Sequence, residues 1–167
     1  MTIILITGGA RSGKSVRAEA RAGAFAGQPI YLATAEALDA EMSERIAQHR
    51  ARRGPDWIAR DVPLELAQAL IETDGRGARL IDCLTLWLSN LMHAERDVTQ
   101  ETSRLAQTLA GQRSPVVLVT NEVGLGIVPD NALARRFRDA AGLMNQTIAG
   151  VADEVEFVVA GLPMRLK

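Results

Sequence analysis

The sequence predicts an α/β fold, a doubly wound, mostly parallel sheet with helices on both faces. Three observations carry that expectation. Short apolar runs recur along the chain and alternate with helix-length segments. The runs are almost continuously apolar, as strands covered on both faces are. The first run leads into "GGARSGKS" (8–15), a glycine-rich turn between strand and helix, where such folds place phosphates.

The elements follow in order. "TIILIT" (2–7) is the first strand, and a helix over 14–26 follows the glycine-rich turn. "IYLAT" (30–34) is the second strand, and Asp39 can N-cap a helix over 39–53. "DWIARD" (56–61) is a weaker run, read as an extra strand before a helix over 63–73. "ARLIDC" (78–83) is a strand, a helix covers 84–95, and "TQET" opens a further helix over 99–111. "VVLVTN" (116–121), a helix over 131–150 and the strand "VEFVVAG" (155–161) complete the set. No repeat or long linker interrupts the pattern, so residues 1–167 read as a single nucleotide-binding catalytic domain.

Composition narrows the partners. Of 167 residues, 47% are hydrophobic and 23% charged, and the net charge is −1. A protein that grips nucleic acid by its phosphates shows a basic excess, so nucleic acid is not an expected partner. No apolar stretch approaches the ~20 residues that span a bilayer, and the first apolar run is too short for a signal peptide. The expectation is a cytoplasmic protein without membrane insertion. The lone cysteine, Cys83, cannot form an internal disulfide.

Gly8-x-x-x-x-Gly13-Lys14-Ser15 has the spacing of a P-loop NTPase. The glycines let backbone N–H groups converge on phosphate oxygens, Lys14 reaches the β/γ-phosphates and Ser15 can ligate Mg²⁺. Gly9, Ala10, Arg11 and Ser12 complete the loop. Lys14 is the single internal lysine in a chain that otherwise uses arginine; a compact ammonium on a thin stem fits a tight cradle where a planar guanidinium does not. A Mg²⁺ site needs a second acid at a strand end. Asp82 stands there and could equally N-cap the helix from Leu84. Glu122 is a second strand-end carboxylate, with a functional and a structural reading.

His49 lies in "EMSERIAQHRARR" (41–53), where helical spacing puts Arg45, His49 and Arg53 on one face. Neighbouring cations disfavour imidazolium and keep a lone pair available for attack on phosphorus. An exposed helix that happens to carry one histidine among arginines is the alternative. His93 has no comparable surroundings and reads as a surface or partly buried helix residue. The loop and this histidine leave open a plain small-molecule kinase and a nucleotide-dependent switch or partner-binding NTPase.

"TGGARSGKS" (7–15), E-M-x-x-R-I-x-x-H (41–49), T-N-E-V-G-x-G-I-V-P (120–129) and "ADEVEFVVAGLPMRLK" (152–167) together resemble the adenosylcobinamide kinase / adenosylcobinamide-phosphate guanylyltransferase family over nearly the whole chain. The resemblance implies two steps. ATP or GTP first phosphorylates the aminopropanol hydroxyl of adenosylcobinamide. A histidine, matching His49, then takes GMP from GTP and passes it to adenosylcobinamide phosphate, giving adenosylcobinamide-GDP and pyrophosphate. It further implies that Ala33, Thr34 and Ala35 line the nucleotide site and that Arg50, Ala51, Arg52 and Arg53 meet phosphate or base. Two acidic family positions fall on Asp61 and Asp82. Asp82 suits Mg²⁺, and Asp61 could accept the N1–H and N2–H of guanine. The implied assembly is a homo-oligomer, a trimer. The segment 93–103 departs from the family pattern, with His93 at an apolar position. The loop 124–131 is one place where the corrinoid could bind.

Overall fold

The computed structural model describes residues 1–36, 44, 47, 51 and 54–167. In chain order these form β1 (Ile3–Gly8), α1 (Lys14–Gly23), β2 (Ile30–Ala33), β3 (Ile58–Asp61), α2 (Leu66–Thr73), β4 (Arg79–Asp82), α3 (Leu84–His93), α4 (Val98–Ala110), β5 (Val116–Val119), α5 (Ala132–Val151), β6 (Glu154–Val159) and β7 (Leu162–Arg165). One sheet takes all seven strands in the order β3-β2-β4-β5-β1-β6-β7. Every neighbouring pair is parallel except β6 and β7. All strands but the last therefore point their C-terminal ends to one edge.

The apolar runs split by twos between the two faces. Ile4, Ile6, Tyr31, Leu80, Val117 and Val119 pack with Ala18 and Ala22 of α1 on one face. Ile3, Leu5, Ile30, Leu32, Ile81 and Leu118 pack on the other face with residues of α2, α3, α4 and α5. Each fully buried Leu or Ile contributes about 1.5–3 kcal/mol relative to exposure. α1 is small-residue-rich and lies close to the sheet. It is also pinned sideways: Arg17 donates twice to Glu156 at 2.8 Å, and Arg21 donates to Glu156 at 2.5 Å and to Glu154 at 2.9 Å. These arginines, with Arg17 leading, hold the Glu156 carboxyl below its usual range.

α3 crosses the C-terminal edge of the sheet. Trp87 Nε1 donates to Leu64 O at 2.7 Å, and Asn90 Nδ2 donates to Thr34 O at 2.8 Å and Pro63 O at 3.0 Å. At the opposite edge Arg79 is fully buried and pairs with Asp74 at 3.3 Å and with Gln112 Oε1.

The structure departs from the sequence reading at several ends. The last apolar run, 155–161, ends as a strand two residues early, and a further strand that the sequence reading did not expect follows it. β6 stops at Val159, Ala160 (φ 52°) and Gly161 (φ 79°) form a tight reversal, and β7 returns antiparallel. Two consecutive positive φ values are the geometry of a two-residue hairpin turn. Pro163 is tolerated because β7 is an edge strand. α1 ends at Gly23, short of residue 26, and α2 begins at Leu66, not 63. α4 starts one residue earlier than expected because Asp97 caps it, accepting from Gln100 N at 3.0 Å. The weak run 56–61 does form a strand, β3. Of the helix expected over 39–53, Glu44, Ala47 and Ala51 are described, and each is helical and exposed. Among the described residues no helix is long and apolar enough to cross a membrane.

Candidate nucleotide site

The phosphate loop joins β1 to α1. Two glycines there are demanded by close approach. A Cβ on Gly8 would lie 2.5 Å from Val158 O, and one on Gly13, at φ +96°, would lie 3.0 Å from Gly161 Cα. Arg11 also takes a positive φ, 56°. Gly13 opens α1 without a side-chain cap, so the first-turn N–H groups of the helix remain available to an anion. The buried Ser12 hydroxyl has no hydrogen-bond partner among the described residues.

Lys14 is 8% exposed and donates from Nζ to Gly9 O at 2.9 Å. Its ammonium is thus folded over the loop it serves. Burial pushes its pKa below the ordinary lysine value, and the nearby Cys83 and Asp82 work against that shift. Asp82 ends β4 on the α1 face, two residues after Leu80. Its carboxylate does not cap α3, whose N-cap is Cys83; it accepts from the Tyr31 hydroxyl. Lys14 and Asp82 therefore lie near one another at one end of the sheet, and Ser15 follows Lys14 in the first turn of α1. A Mg²⁺ bound with a nucleotide needs only one or two carboxylates beside phosphate oxygens and water, and this donor set fits that demand.

Strand register brings the other candidates alongside. Asp61, Ala33 and Asp82 are successive partners across β3, β2 and β4, and Asp82 pairs in turn with Val119. Asp61 and Asp82 are two strand spacings apart, ~10 Å. Asp61 is exposed, and Ala33 and Ala35 are partly so. Thr34 is fully buried and its hydroxyl donates to Asp82 O at 2.8 Å and Cys83 O at 2.9 Å. It holds the β4 end in place rather than presenting a hydroxyl to a ligand. His49, Arg50, Arg52 and Arg53 lie outside the described residues. His93 is exposed, with Nδ1 2.8 Å from Ser89 O.

Three features of the site have little or no signal in the sequence. The Gly161 N–H donates to Ser12 O at 2.8 Å, so the β6–β7 turn braces the phosphate loop. Ala-Gly is a poor hairpin signature, which is why Gly161 reads as the end of a strand. Glu122 reaches the loop through its backbone: its N–H donates to Gly8 O at 3.1 Å, while its carboxylate accepts from Gly124 N at 2.5 Å. Beneath it, Thr120 Oγ1 donates to Asn145 Oδ1 at 2.7 Å and Thr85 Oγ1 accepts from Asn121 N at 2.8 Å.

Comparison with known proteins follows the same lines. The family model described as cobinamide kinase / cobinamide phosphate guanyltransferase matches residues 4–166. The bifunctional adenosylcobalamin biosynthesis protein CobP of Pseudomonas aeruginosa is 47% identical over 167 residues, 98% of this chain and 96% of that one. The bifunctional adenosylcobalamin biosynthesis protein CobU of Salmonella typhimurium is 44% identical over 184 residues, 99% of each chain. Among solved structures, an ATPase of the type III secretion system of pathogenic bacteria superposes with a TM-score of 0.56 at 12% identity. The match covers 98% of this chain and 56% of that one, and it shows a shared fold alone.

Proposed function

Because this chain belongs to the cobinamide kinase / cobinamide phosphate guanyltransferase family, we propose that its one phosphate loop serves both transfers. In the first, the aminopropanol hydroxyl of adenosylcobinamide attacks the γ-phosphorus of ATP or GTP, the bond to the β-phosphate oxygen breaks, and the hydroxyl proton leaves to solvent. In the second, His49 attacks the α-phosphorus of GTP and pyrophosphate departs. The phosphate of adenosylcobinamide phosphate then displaces GMP from the histidine, giving adenosylcobinamide-GDP.

The observation that carries this reading is the placement of Lys14 beside Asp82 over a loop braced on two sides. A triphosphate tail held by the loop keeps its β and γ groups against Lys14, and its α group faces outward towards a nucleophile. Ser15 and Asp82 would hold Mg²⁺, which supplies charge neutralisation at the phosphates when bound. Lys14 and the first turn of α1 do the rest by position and charge. Asp61, exposed at the far end of the same edge, would accept from guanine. Arg50, Arg52 and Arg53 follow the nucleophile in sequence and would meet phosphate. Neither a plain kinase nor a nucleotide-dependent switch draws support from relatives named as bifunctional biosynthetic proteins.

The protein is further proposed to work as a homo-oligomer, a trimer. The support is an open edge strand, β7, whose Leu162 and Met164 are 72% and 56% exposed. Light scattering reads the mass directly.

The test separates the two halves. His49→Ala should retain phosphorylation of cobinamide and lose formation of the GDP product. Lys14→Met should lose both by at least ~10²-fold in kcat/KM. Equal retention of both activities in His49→Ala would contradict the two-step reading.

A further inference from the structure

β5 lies between the strand that leads into the phosphate loop and the strand that ends in Asp82. Val117 and Val119 face α1, while Leu118 faces the other side and Thr120 bonds to α5 there. The ladder runs on past the last residue of the strand. Thr120 N donates to Ile6 O at 3.0 Å and Glu122 N to Gly8 O at 3.1 Å. The alternation therefore carries one step further, and Asn121 follows Val119 onto the α1 side. It stands one strand spacing, ~5 Å, from the strand on either side.

The backbone of Asn121 is fixed at both polar groups. Its N–H donates to Thr85 Oγ1 at 2.8 Å, and its carbonyl accepts from Asn145 Nδ2 at 3.2 Å. Its side chain is held far less firmly. Nδ2 donates to Cys83 Sγ at 3.5 Å, a weak acceptor, and no described residue donates to Oδ1. The residue is only half-buried. Cys83 and Asp82 both lie near the Lys14 ammonium. A shared neighbour, Cys83, thus ties this amide to the lysine of the loop.

Resting on the two-transfer reading above, we propose that the Asn121 carboxamide contacts the γ-phosphate of the bound triphosphate and serves the first transfer more than the second. The loop and the first turn of α1 cradle the inner phosphates, and Lys14 reaches the β and γ groups. Asp82 stands beyond Lys14, one strand past β5. The γ group, the far end of the tail, therefore lies towards β4 and over the end of β5. There an amide N–H donates to an equatorial γ oxygen, where charge is spread during transfer. Exchanging a thiol for a phosphate oxygen gives that N–H a charged acceptor, the stronger partner. In the second transfer the bond breaks between the α and β groups, and γ leaves as part of pyrophosphate. A donor at γ then binds ground state and transition state nearly alike and adds little to the rate.

The experiment is isothermal titration of the intact protein with GTP and with GDP, each with Mg²⁺, on Asn121, Asn121→Ala and Asn121→Asp forms. The titrations use a His49→Ala background, which takes up no GMP. Cobinamide phosphorylation and His49 guanylylation are timed at saturating GTP with His49 restored. Asn121→Ala should weaken GTP at least ~10-fold and GDP by no more than about twofold. Retained GDP binding also reports that the variant is folded. Asn121→Asp, of the same size, sets a carboxylate against the γ-phosphate and should weaken GTP further than Ala does. In Asn121→Ala the phosphorylation kcat should fall at least ~10-fold more than the guanylylation rate. Equal losses of GTP and GDP affinity, or no loss of GTP affinity, overturn the assignment and leave the two-transfer reading standing. Phosphorylation that falls no more than guanylylation does the same. A protein with Asn121 intact that binds GTP but phosphorylates no cobinamide overturns the cobinamide reading, while the GTP and GDP titrations still decide where Asn121 acts.

Discussion

Lys14 and Asp82 show what a single side chain contributes. The lysine is already desolvated and aimed at the loop before any nucleotide arrives, so little reorganisation remains at the moment of transfer. Asp82→Asn should keep the fold, because an amide still accepts from Tyr31, but should raise the Mg²⁺ needed for half-maximal rate by about tenfold in both steps. A Mg²⁺ titration reads this; an unchanged midpoint would remove Asp82 from the metal site. Asp74, at the opposite edge, predicts a pH effect. Burial alone would raise its pKa, but N–H donors from Ser114 and Arg113, the Arg113 side chain and Arg79 outweigh that and hold it at about 2, below the ordinary 3.8. A depressed carboxyl stabilises the fold above its unfolded pKa. That contribution, at most about 2 kcal/mol, is lost as pH falls from about 4 towards 2. Asp74→Asn should flatten the acid limb of a stability–pH curve, and an unaltered limb would contradict the assignment. The loop's place between β1 and α1, and the need for glycine at 8 and 13, were legible in the sequence because the spacing of such a turn fixes them. Thr34 was not, because the direction of a hydroxyl is decided by what packs against it.

At the scale of elements, the β6–β7 hairpin is the part with the least sequence signal and a direct hold on the site. Its turn donates from Gly161 N to Ser12 O and packs against Gly13. Gly161→Val forces a β-branched residue to φ +79°, at a cost of order 1–3 kcal/mol, and displaces the brace. Nucleotide KM should rise by roughly tenfold in both steps, while Gly161→Asn, which tolerates that φ, should stay near wild type. Equal KM values in wild type and Gly161→Val would show that the brace does not matter. The strand runs were readable because buried parallel strands are continuously apolar. The hairpin was not, because Ala160 and Gly161 carry a weak turn signal and Pro163 argues against a strand. Asp97 capped α4 where the "TQET" signal lay just inside the helix. α3 has an ordinary helical pattern, and nothing in it shows that it crosses the sheet edge; Trp87 and Asn90 decide that through contacts distant in sequence.

At the scale of the molecule, the register of seven strands gathers residues far apart in sequence, 61, 33, 82 and the loop 8–15, to one edge. The doubly wound class was legible from the alternation of apolar runs and helices. The order of strands was not, since periodicity says nothing about which strand lies beside which. The central claim is that one loop presents two phosphorus atoms to two nucleophiles, and incubation with Mg²⁺ and GTP labelled at the α-phosphate, with no corrinoid, tests it most directly. Label should remain on the denatured protein, be lost in acid, persist in base as a phosphoramidate does, and be absent from His49→Ala. GTP that binds but leaves no label, or label that survives in His49→Ala, would contradict the claim.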